Sequence, residues 1–332
     1  MIRMNNLQSK NILIGGGAGY IGSRLVPVLL EKGYSVTVID LLWFKNHLPK
    51  SVKVLQKNLF DVSRDDLRKN DQFIFLAGLS NDPMANWNPK LNYLYNAALP
   101  AYLAYESKMA GIKRFIYGSS CSIYGNTSSL SDEDTIPNTS EPYGISKLQG
   151  EYGVLQNQDG DFSTIILRQG TVCGYSPRMR YDLAINTMVK TAIVNGCVYV
   201  DSPNIWRPIC GMSDLINAYQ LAITCPPPLN GIFNIASGNY KVLAMANTIK
   251  KIMKQKLGRS IEIIINNKAS TRNYKVILKK SKKYLKFIPQ ENLESIISEI
   301  ILKSRKIIDF NNDCYYNINT FKRIKSSTKI KL

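Results

Sequence analysis

Ile12-Leu13-Ile14-Gly15-Gly16-Gly17-Ala18-Gly19-Tyr20-Ile21-Gly22 is the stretch that decides the fold. It joins an apolar strand to an apolar helix, with Gly16, Gly19 and Gly22 at three-residue spacing in between. Glycines at that spacing let the chain turn tightly and bring the backbone close to an anion. The anion then rests on the amino end of the helix, where unpaired N–H groups and the helix dipole favour negative charge. The run therefore points to a cradle for a dinucleotide pyrophosphate, Tyr20 and Ile21 included. A glycine-rich turn without a ligand would look the same, so the run alone is weak.

Outward from it, short apolar runs alternate with amphipathic ones. The pattern predicts strands at Asn11–Ile14, Ser35–Ile39, Val52–Leu55, Gln72–Leu76, Arg114–Tyr117 and Thr164–Leu167. It predicts helices at Tyr20–Lys32, Lys90–Ala110 and Tyr143–Leu155, the last opened by Pro142 and the second kinked or split by Pro100. Such alternation gives an α/β fold, a Rossmann-type doubly wound parallel sheet with helices on both faces. After residue 170 the rhythm breaks into a smaller mixed α/β part. Its expected helices are Leu183–Val194, Ser213–Thr224, Leu243–Leu257 and Leu293–Ile307, and its strands are Cys197–Val200, Ile232–Ile235 and Ile261–Ile265. The expected division is a nucleotide-binding domain at 1–170, an interleaved substrate-binding part at 171–320 and a basic tail at 321–332, frayed from Lys322 onward. The second part would cap the carboxyl ends of the strands, where ligands of doubly wound folds bind.

Asp40 ends the second apolar strand, 18 residues after Gly22. An acid there receives the two hydroxyls of an adenosine ribose and repels a 2′-phosphate, so the expected cofactor is NAD. Arg24 and Lys45 lie near enough in sequence to keep NADP as the alternative. Asp61, after Asn58-Leu59-Phe60, is placed either to contact the adenine or to cap the turn that follows.

A second motif is Tyr143-Gly144-Ile145-Ser146-Lys147. Residues four apart on a helix share a face. A free phenol, with a pKa near ~10, is a poor base at neutral pH. A nearby ammonium and a positive nicotinamide ring both favour the phenolate. Just upstream, Ser119-Ser120-Cys121-Ser122-Ile123-Tyr124-Gly125 closes a predicted strand, and a hydroxyl there can hold the same substrate oxygen. The two motifs together describe a chain that moves a hydride and a proton at a hydroxyl-bearing carbon.

Composition removes most other chemistries. The 332 residues are 45% hydrophobic and 20% charged, as in an ordinary globular protein. No apolar run approaches the ~18 residues that span a bilayer, and the polar start does not read as a signal peptide. The single histidine, His47, is expected at the surface and leaves nothing for a Ser-His triad or a histidine metal site. Six scattered cysteines without a CxxC pair suit reduced thiols and a cytoplasmic location, and no metal is expected. Of the net charge of +19, residues 241–332 hold 22 Lys and Arg against 6 Asp and Glu. A nucleic-acid surface is one reading of that asymmetry. Aromatics do not alternate with the basic residues as a stacking platform would need, and compositional drift with attraction for an anionic substrate is preferred.

These residues resemble the extended short-chain dehydrogenase/reductases of the nucleotide-sugar epimerase/dehydratase family. The glycine run, Asp40, Asp61, Leu76-Ala77, Asn96, Lys113-Arg114-Phe115, the serine-rich strand end, Tyr143 and Lys147 fall in that family's order. So do Arg168, Arg207-Pro208-Ile209, Asp214, Phe233-Asn234-Ile235 and Arg272-Asn273-Tyr274. The resemblance implies that Ser120 assists Tyr143, that Lys147 also grips the nicotinamide ribose, and that Leu76, Ala77 and Asn96 line the cofactor. It implies that Arg178 and Arg180 of the loop Ser176–Arg180, with Arg207 and Arg272, hold the diphosphate and nucleoside of the substrate, and that Thr171 faces the sugar.

Departures from the pattern narrow the reading. Dehydratases of that family carry an acidic pair after the catalytic hydroxyl, where this chain has Cys121 and Ser122, so 4,6-dehydration is not expected. Thr171 stands where 4-epimerases often have Asn. The run Ser176–Leu183 looks more like a branch with nucleotide-linked heptose and sugar 4-dehydrogenases. The resulting expectation is an NAD-dependent enzyme acting at C4 of a nucleotide-diphosphate sugar. A 4-epimerase comes first, with a 4-dehydrogenase or 4-keto-reductase as the alternative and a nucleic-acid binder on the same scaffold as the distant one. A homodimer is expected on the helices around Leu91–Ala110 and Tyr143–Leu155, from the apolar excess of Tyr93, Tyr95, Leu99, Tyr102, Leu103 and Tyr105.

Overall fold

A computed structural model describes residues 10–266, 272–305, 307 and 309–327. Seven strands form one parallel sheet: β1 (Asn11–Gly15), β2 (Ser35–Asp40), β3 (Lys53–Gln56), β4 (Gln72–Phe75), β5 (Arg114–Ser120), β6 (Ser163–Gln169) and β7 (Gly231–Ile235). Their order is β7-β6-β5-β4-β1-β2-β3, so the chain reverses direction of travel across the sheet at β1. Every predicted strand up to residue 170 is present within two or three residues of its expected ends. Ile232–Ile235, expected in the smaller part, instead pairs with β6 and completes the large sheet.

Alternate residues of each strand feed two cores. Ile12, Ile14, Ile74 and Ile116 face the helices Gly22–Glu31 and Met212–Thr224, while Leu13, Phe73, Phe75, Phe115 and Tyr117 face Leu99–Met109 and Pro142–Leu155. The second core is aromatic, with Phe73 edge-on to Phe115 at 5.2 Å.

The long helix expected at Lys90–Ala110 is divided into Pro89–Tyr93, a wider π turn at Leu94–Ala98 and Leu99–Met109. Pro100 is the cause. It has no N–H to give the carbonyl of Asn96 four residues back, and the Tyr117 hydroxyl of β5 donates to that carbonyl instead, at 2.8 Å. Leu99 and Leu103 belong to the protein's own core, whereas Tyr102, Tyr105 and Met109 stay about half exposed, beside an exposed Tyr152 on the neighbouring helix.

In the smaller part the strands expected at Cys197–Val200 and Ile261–Ile265 are present as Cys197–Asp201 and Glu262–Asn266 and pair in parallel, and further short strands escaped the periodicity. Thr171–Cys173, Trp206–Gly211 and Gly238–Lys241 make one sheet, and Asn126–Ser131 pairs in parallel with Asn273–Val276. The tail is not frayed at Lys322: Asn317–Ser327 is a helix, and 328–332 lie outside the described residues. All six cysteines are free, five of them buried. His47 is half-buried rather than on the surface. Among the described residues no helix is long and apolar enough to cross a membrane.

Candidate active site

One cavity of about 920 Å3 runs along the carboxyl edge of the sheet and out beneath the smaller part. Its first end is the glycine turn. Gly16 has φ +78°, and a Cβ there would stand 2.7 Å from the backbone nitrogen of Ala77, so only glycine lets the turn close against the strand beside it. Gly22 does not face the cavity. It lets the helix start against the turn, where a Cβ would meet the Gly17 carbonyl oxygen at 2.1 Å. Asp40 reaches the same turn, accepting from Ala18 N at 3.0 Å and from Leu42 N at 2.8 Å. Burial raises its pKa, and the two backbone donors work against that. Each carboxylate oxygen keeps a further lone pair for a ribose hydroxyl. The turn, the carboxylate and the enclosed space above them fit a dinucleotide.

At the middle of the cavity, β5 ends at Ser120 and the helix Pro142–Leu155 brings Tyr143 and Lys147 to the same wall. The Ser120 hydroxyl is 3.0 Å from Ser122 Oγ and within hydrogen-bonding reach of the Tyr143 phenol. Burial pushes the phenol up to about 12, and Asp82 adds to the rise. Ser120, Arg180 and Arg272 pull the other way. Lys147 donates to the Gly118 carbonyl at 2.8 Å and stands 4.7 Å from the Tyr117 ring centroid. Burial lowers its ammonium to about 7, against the attraction of Glu151 one helical turn on. Beside Lys147 and a nicotinamide ring, the two groups expected from sequence to favour the phenolate, the folded protein brings Arg180 and Arg272 near enough to Tyr143 to act in the same direction.

A buried polar network lies under this wall. Glu151 accepts from Ser119 Oγ at 2.5 Å and pairs with Arg168 at 2.7 Å, and Arg168 donates to the Tyr124 hydroxyl at 3.0 Å. Tyr124 in turn donates to Asn234 Oδ1 at 2.8 Å. Arg168 and Asn234, which fall in the resemblance, are therefore supports of the site. Asp214 instead ties the smaller part together, accepting from Ser237 Oγ at 2.6 Å and Gln290 N at 2.7 Å. Cys121 points down into the same buried layer, its thiol pushed well up by burial, and takes no part in the cavity.

The far end is made by long charged side chains. Asn273 lies beside the turn that follows β5, its N–H on the Gly125 carbonyl at 3.2 Å, and so Arg272 reaches Ser122 Oγ at 2.8 Å. Arg272 also pairs with Asp82 at 2.6 Å. The other oxygen of Asp82 is buried without a hydrogen-bond partner, and burial raises this carboxyl. Arg207 donates to the Trp206 and Arg272 carbonyls, with its guanidinium 5.7 Å from the Tyr274 ring centroid.

Of the residues singled out from sequence, Gly16, Gly19, Tyr20, Ile21, Asp40, Leu76, Ala77, Ser120, Tyr143, Lys147, Thr171, Arg178, Arg180, Arg207 and Arg272 all line this one cavity. Asp61 does not. It is exposed on a turn, and Lys57 and Asn58 take the place at the cavity wall. Asn96 does not either. It is fully buried, donates to Leu79 O at 2.8 Å, and fixes the loop after β4. Arg178 sits at the cofactor end, 3.7 Å from the Phe44 ring centroid, and burial lowers it to about 9. Arg180 is held by Asp182 at 2.9 Å and Ser80 at 2.8 Å. Not expected at the site were Asp82, whose one visible signal is Asn81-Asp82-Pro83 opening a helix, Asn317 near the end of the expected substrate-binding part, and Phe321, the first residue of the expected tail.

The family described as NAD dependent epimerase/dehydratase matches residues 12–236. A UDP-glucose 4-epimerase of Erwinia amylovora is 32% identical over 280 residues, 73% of this chain and 82% of that protein. UDP-glucose 4-epimerase 3 of Oryza sativa subsp. japonica is 31% identical over 180 residues, 48% of this chain and 48% of that protein. Against the rice protein and two Neisseria meningitidis relatives, the chain spans about half the relative's length. Among solved structures, UDP-glucuronic acid 4-epimerase from Bacillus cereus in complex with UDP-glucuronic acid and NAD superposes with a TM-score of 0.78 at 21% identity. The match covers 89% of this chain and 99% of that one, and is a likeness of fold.

Proposed function

The chain belongs to the NAD dependent epimerase/dehydratase family, and from that premise we propose that it is an NAD-dependent 4-epimerase of nucleotide-diphosphate sugars. One observation carries the reading. Ser120, Tyr143 and Lys147 converge midway along a single cavity, with the glycine turn and Asp40 at one end and Arg207 and Arg272 at the other. A dinucleotide and a nucleotide sugar placed in those ends would meet at Tyr143. Guanidinium forks match the oxygens of a diphosphate, which supports the polarity of that placement.

The bound nicotinamide supplies the acceptor for the C4 hydride and later its donor. Tyr143, as phenolate, takes the proton of the 4-hydroxyl, and Ser120 steadies the same oxygen. Burial favours the neutral phenol while Arg180 and Arg272 favour the phenolate, and a positive nicotinamide ring held beside Tyr143 would act in the same direction as the two arginines. Tyr143 returns the proton once the 4-keto sugar has turned over in the cavity. A 4-dehydrogenase or 4-keto-reductase would use the same three groups for half of that cycle.

Dehydration is disfavoured on two grounds. Cys121 is buried away from the cavity, and the Ser122 hydroxyl is engaged by Arg272, so neither suits the acid and base that remove water across C5 and C6. A homodimer is supported by the half-exposed face of Tyr102, Tyr105 and Met109 beside Tyr152, and a strictly monomeric mass at micromolar protein would end that idea. Six free cysteines support a reducing, cytoplasmic setting.

Purified protein is incubated with UDP-glucose, UDP-glucuronic acid and UDP-N-acetylglucosamine, and products are read by NMR and mass spectrometry. The expected outcome is a 4-epimer without accumulation of NADH or loss of the ~18 Da of one water. A 4-keto product with stoichiometric NADH would indicate the dehydrogenase instead, and no turnover of any nucleotide sugar would overturn the reading.

A further inference from the structure

Parts of the chain far apart in sequence meet above the cofactor end of the cavity. Phe321 is edge-on to Trp43 with ring centroids 4.9 Å apart, and stands 6.1 Å from Trp87 and 6.2 Å from Phe44. Trp43 and Phe44 follow β2, and Trp87 closes the helix Asp82–Trp87 that follows β4. In the sheet β1 lies between β4 and β2, and the glycine turn follows β1. The helix Asn317–Ser327 therefore joins the segments on either side of that turn and crosses the mouth above it.

Polar contacts fasten the same crossing. Asn317 donates to Ser80 Oγ at 2.9 Å through Nδ2 and to Asp182 Oδ2 at 3.4 Å through its backbone, and Arg178 donates to Asn317 Oδ1. Arg178 is 3% exposed and stacked on Phe44, and its Nε has no hydrogen-bond partner, which leaves one charged donor for a ligand. Asn317 and Phe321 themselves line the cavity. A helix seated only for its own burial would not complete the wall of a ligand site.

We propose that the helix Asn317–Ser327 is a strap that holds the dinucleotide in place through turnover, with Phe321 and Asn317 as its fastenings. The inference rests on the NAD reading above and adds to it the reason why the reaction ends as epimerisation. A cofactor that cannot leave between the two half-reactions must give its hydride back to the keto sugar. Where the keto sugar has turned over before the hydride returns, the net change is inversion at C4, with no net oxidation and no external acceptor.

The test uses the full chain and the variants Phe321→Ala, Phe321→Tyr and Asn317→Ala, all carried through the same gel filtration. NAD per chain is measured after denaturation. NADH release on dilution is followed by energy transfer from the tryptophans, two of which flank Phe321. Wild type is expected to keep its cofactor, and Phe321→Ala to lose it about tenfold faster or more, the weight of one lost aromatic contact. Phe321→Tyr should restore retention by restoring the ring, and Asn317→Ala should accelerate release without touching the aromatic cluster. With added NAD, the leaky variants should turn over and accumulate free NADH and 4-keto sugar. Release from both alanine variants at the wild-type rate would overturn the strap while leaving the epimerase reading intact. A wild type that takes up no NAD at any concentration would overturn both.

Discussion

The two ends of the cavity are made of different materials. At the cofactor end the groups are fixed by the backbone: Gly16 N bonds to Ile39 O at 2.8 Å, and Asp40 is clasped by Ala18 N and Leu42 N. At the substrate end they are fixed by one another: Arg272 is held by Asp82 and Ser122, and Arg207 by carbonyls of the segments it crosses. Main-chain bonds persist whether or not a ligand is present. A cation held by an ion pair at a cavity wall can turn to a ligand's phosphates, provided the carboxylate it leaves takes a proton, the direction in which burial already shifts Asp82. The first end is a fixed seat, and the second is an adjustable grip.

Tyr143 stands where the two meet and should show the largest effect. Tyr143→Phe keeps the ring and removes the proton-carrying oxygen, so turnover should fall ~10²–10⁴-fold while NAD binding, measured by calorimetry, stays close to wild type. More than half of wild-type turnover would show that the junction has been misplaced.

Next comes the seat. Gly16→Val forces a β-branched residue into φ +78° with its Cβ against Ala77. A destabilisation of about 2 kcal/mol or more is expected, with loss of NAD affinity, since strain of this kind costs ~1–3 kcal/mol before any clash. Thermal unfolding with and without NAD measures it. An unchanged melting temperature would mean that the seat is no more rigid than the grip.

Arg272→Ala tests the grip and should act differently. KM for the nucleotide sugar should rise about ten- to a hundredfold, the weight of one charged hydrogen-bond partner, with little change in NAD binding. Removing this cation also removes a pull toward the phenolate, so the Tyr143 pKa rises. The alkaline increase in kcat/KM should therefore move to higher pH. A pH profile identical to wild type would separate Arg272 from the catalytic wall. The smallest effect is expected from Asp40→Ala, which makes room for a 2′-phosphate without supplying a cation for it. The preference for NAD should fall severalfold rather than invert. Equal wild-type affinities for NAD and NADP would contradict the role of Asp40.

The same contrast explains what could be read from the letters. Gly16 and Asp40 were legible because the backbone they serve is local: a turn, a strand end and a helix start within 30 residues. Tyr143 and Lys147 were legible because helical spacing alone puts them on one wall. Asp82 was not, because its meaning depends on Arg272, 190 positions away, and no periodicity links the two. The position of Arg178 was misjudged for the same reason: its loop folds back onto Phe44, at the cofactor end. Phe321 was hidden by the basic residues that follow it, which read as a solvated tail, and Asn317 by a polar stretch without periodicity; the face they share reads otherwise only once Trp43 is in place.

The π turn before Pro100 has a consequence for how this protein can change over generations. Pro100 withholds a hydrogen, Tyr117 supplies one from the sheet, and Gly150 leaves room for both, since a Cβ there would lie 2.3 Å from the Asn96 carbonyl oxygen and 2.7 Å from the Tyr117 hydroxyl. Tyr117→Phe alone strands a buried carbonyl and should cost about 1–3 kcal/mol, whereas Pro100→Ala offers that carbonyl a backbone partner again. The double variant should be less impaired than the sum of its parts. A lineage could then leave this arrangement only by changing the proline first. Three residues from two helices and a strand are inherited as one trait.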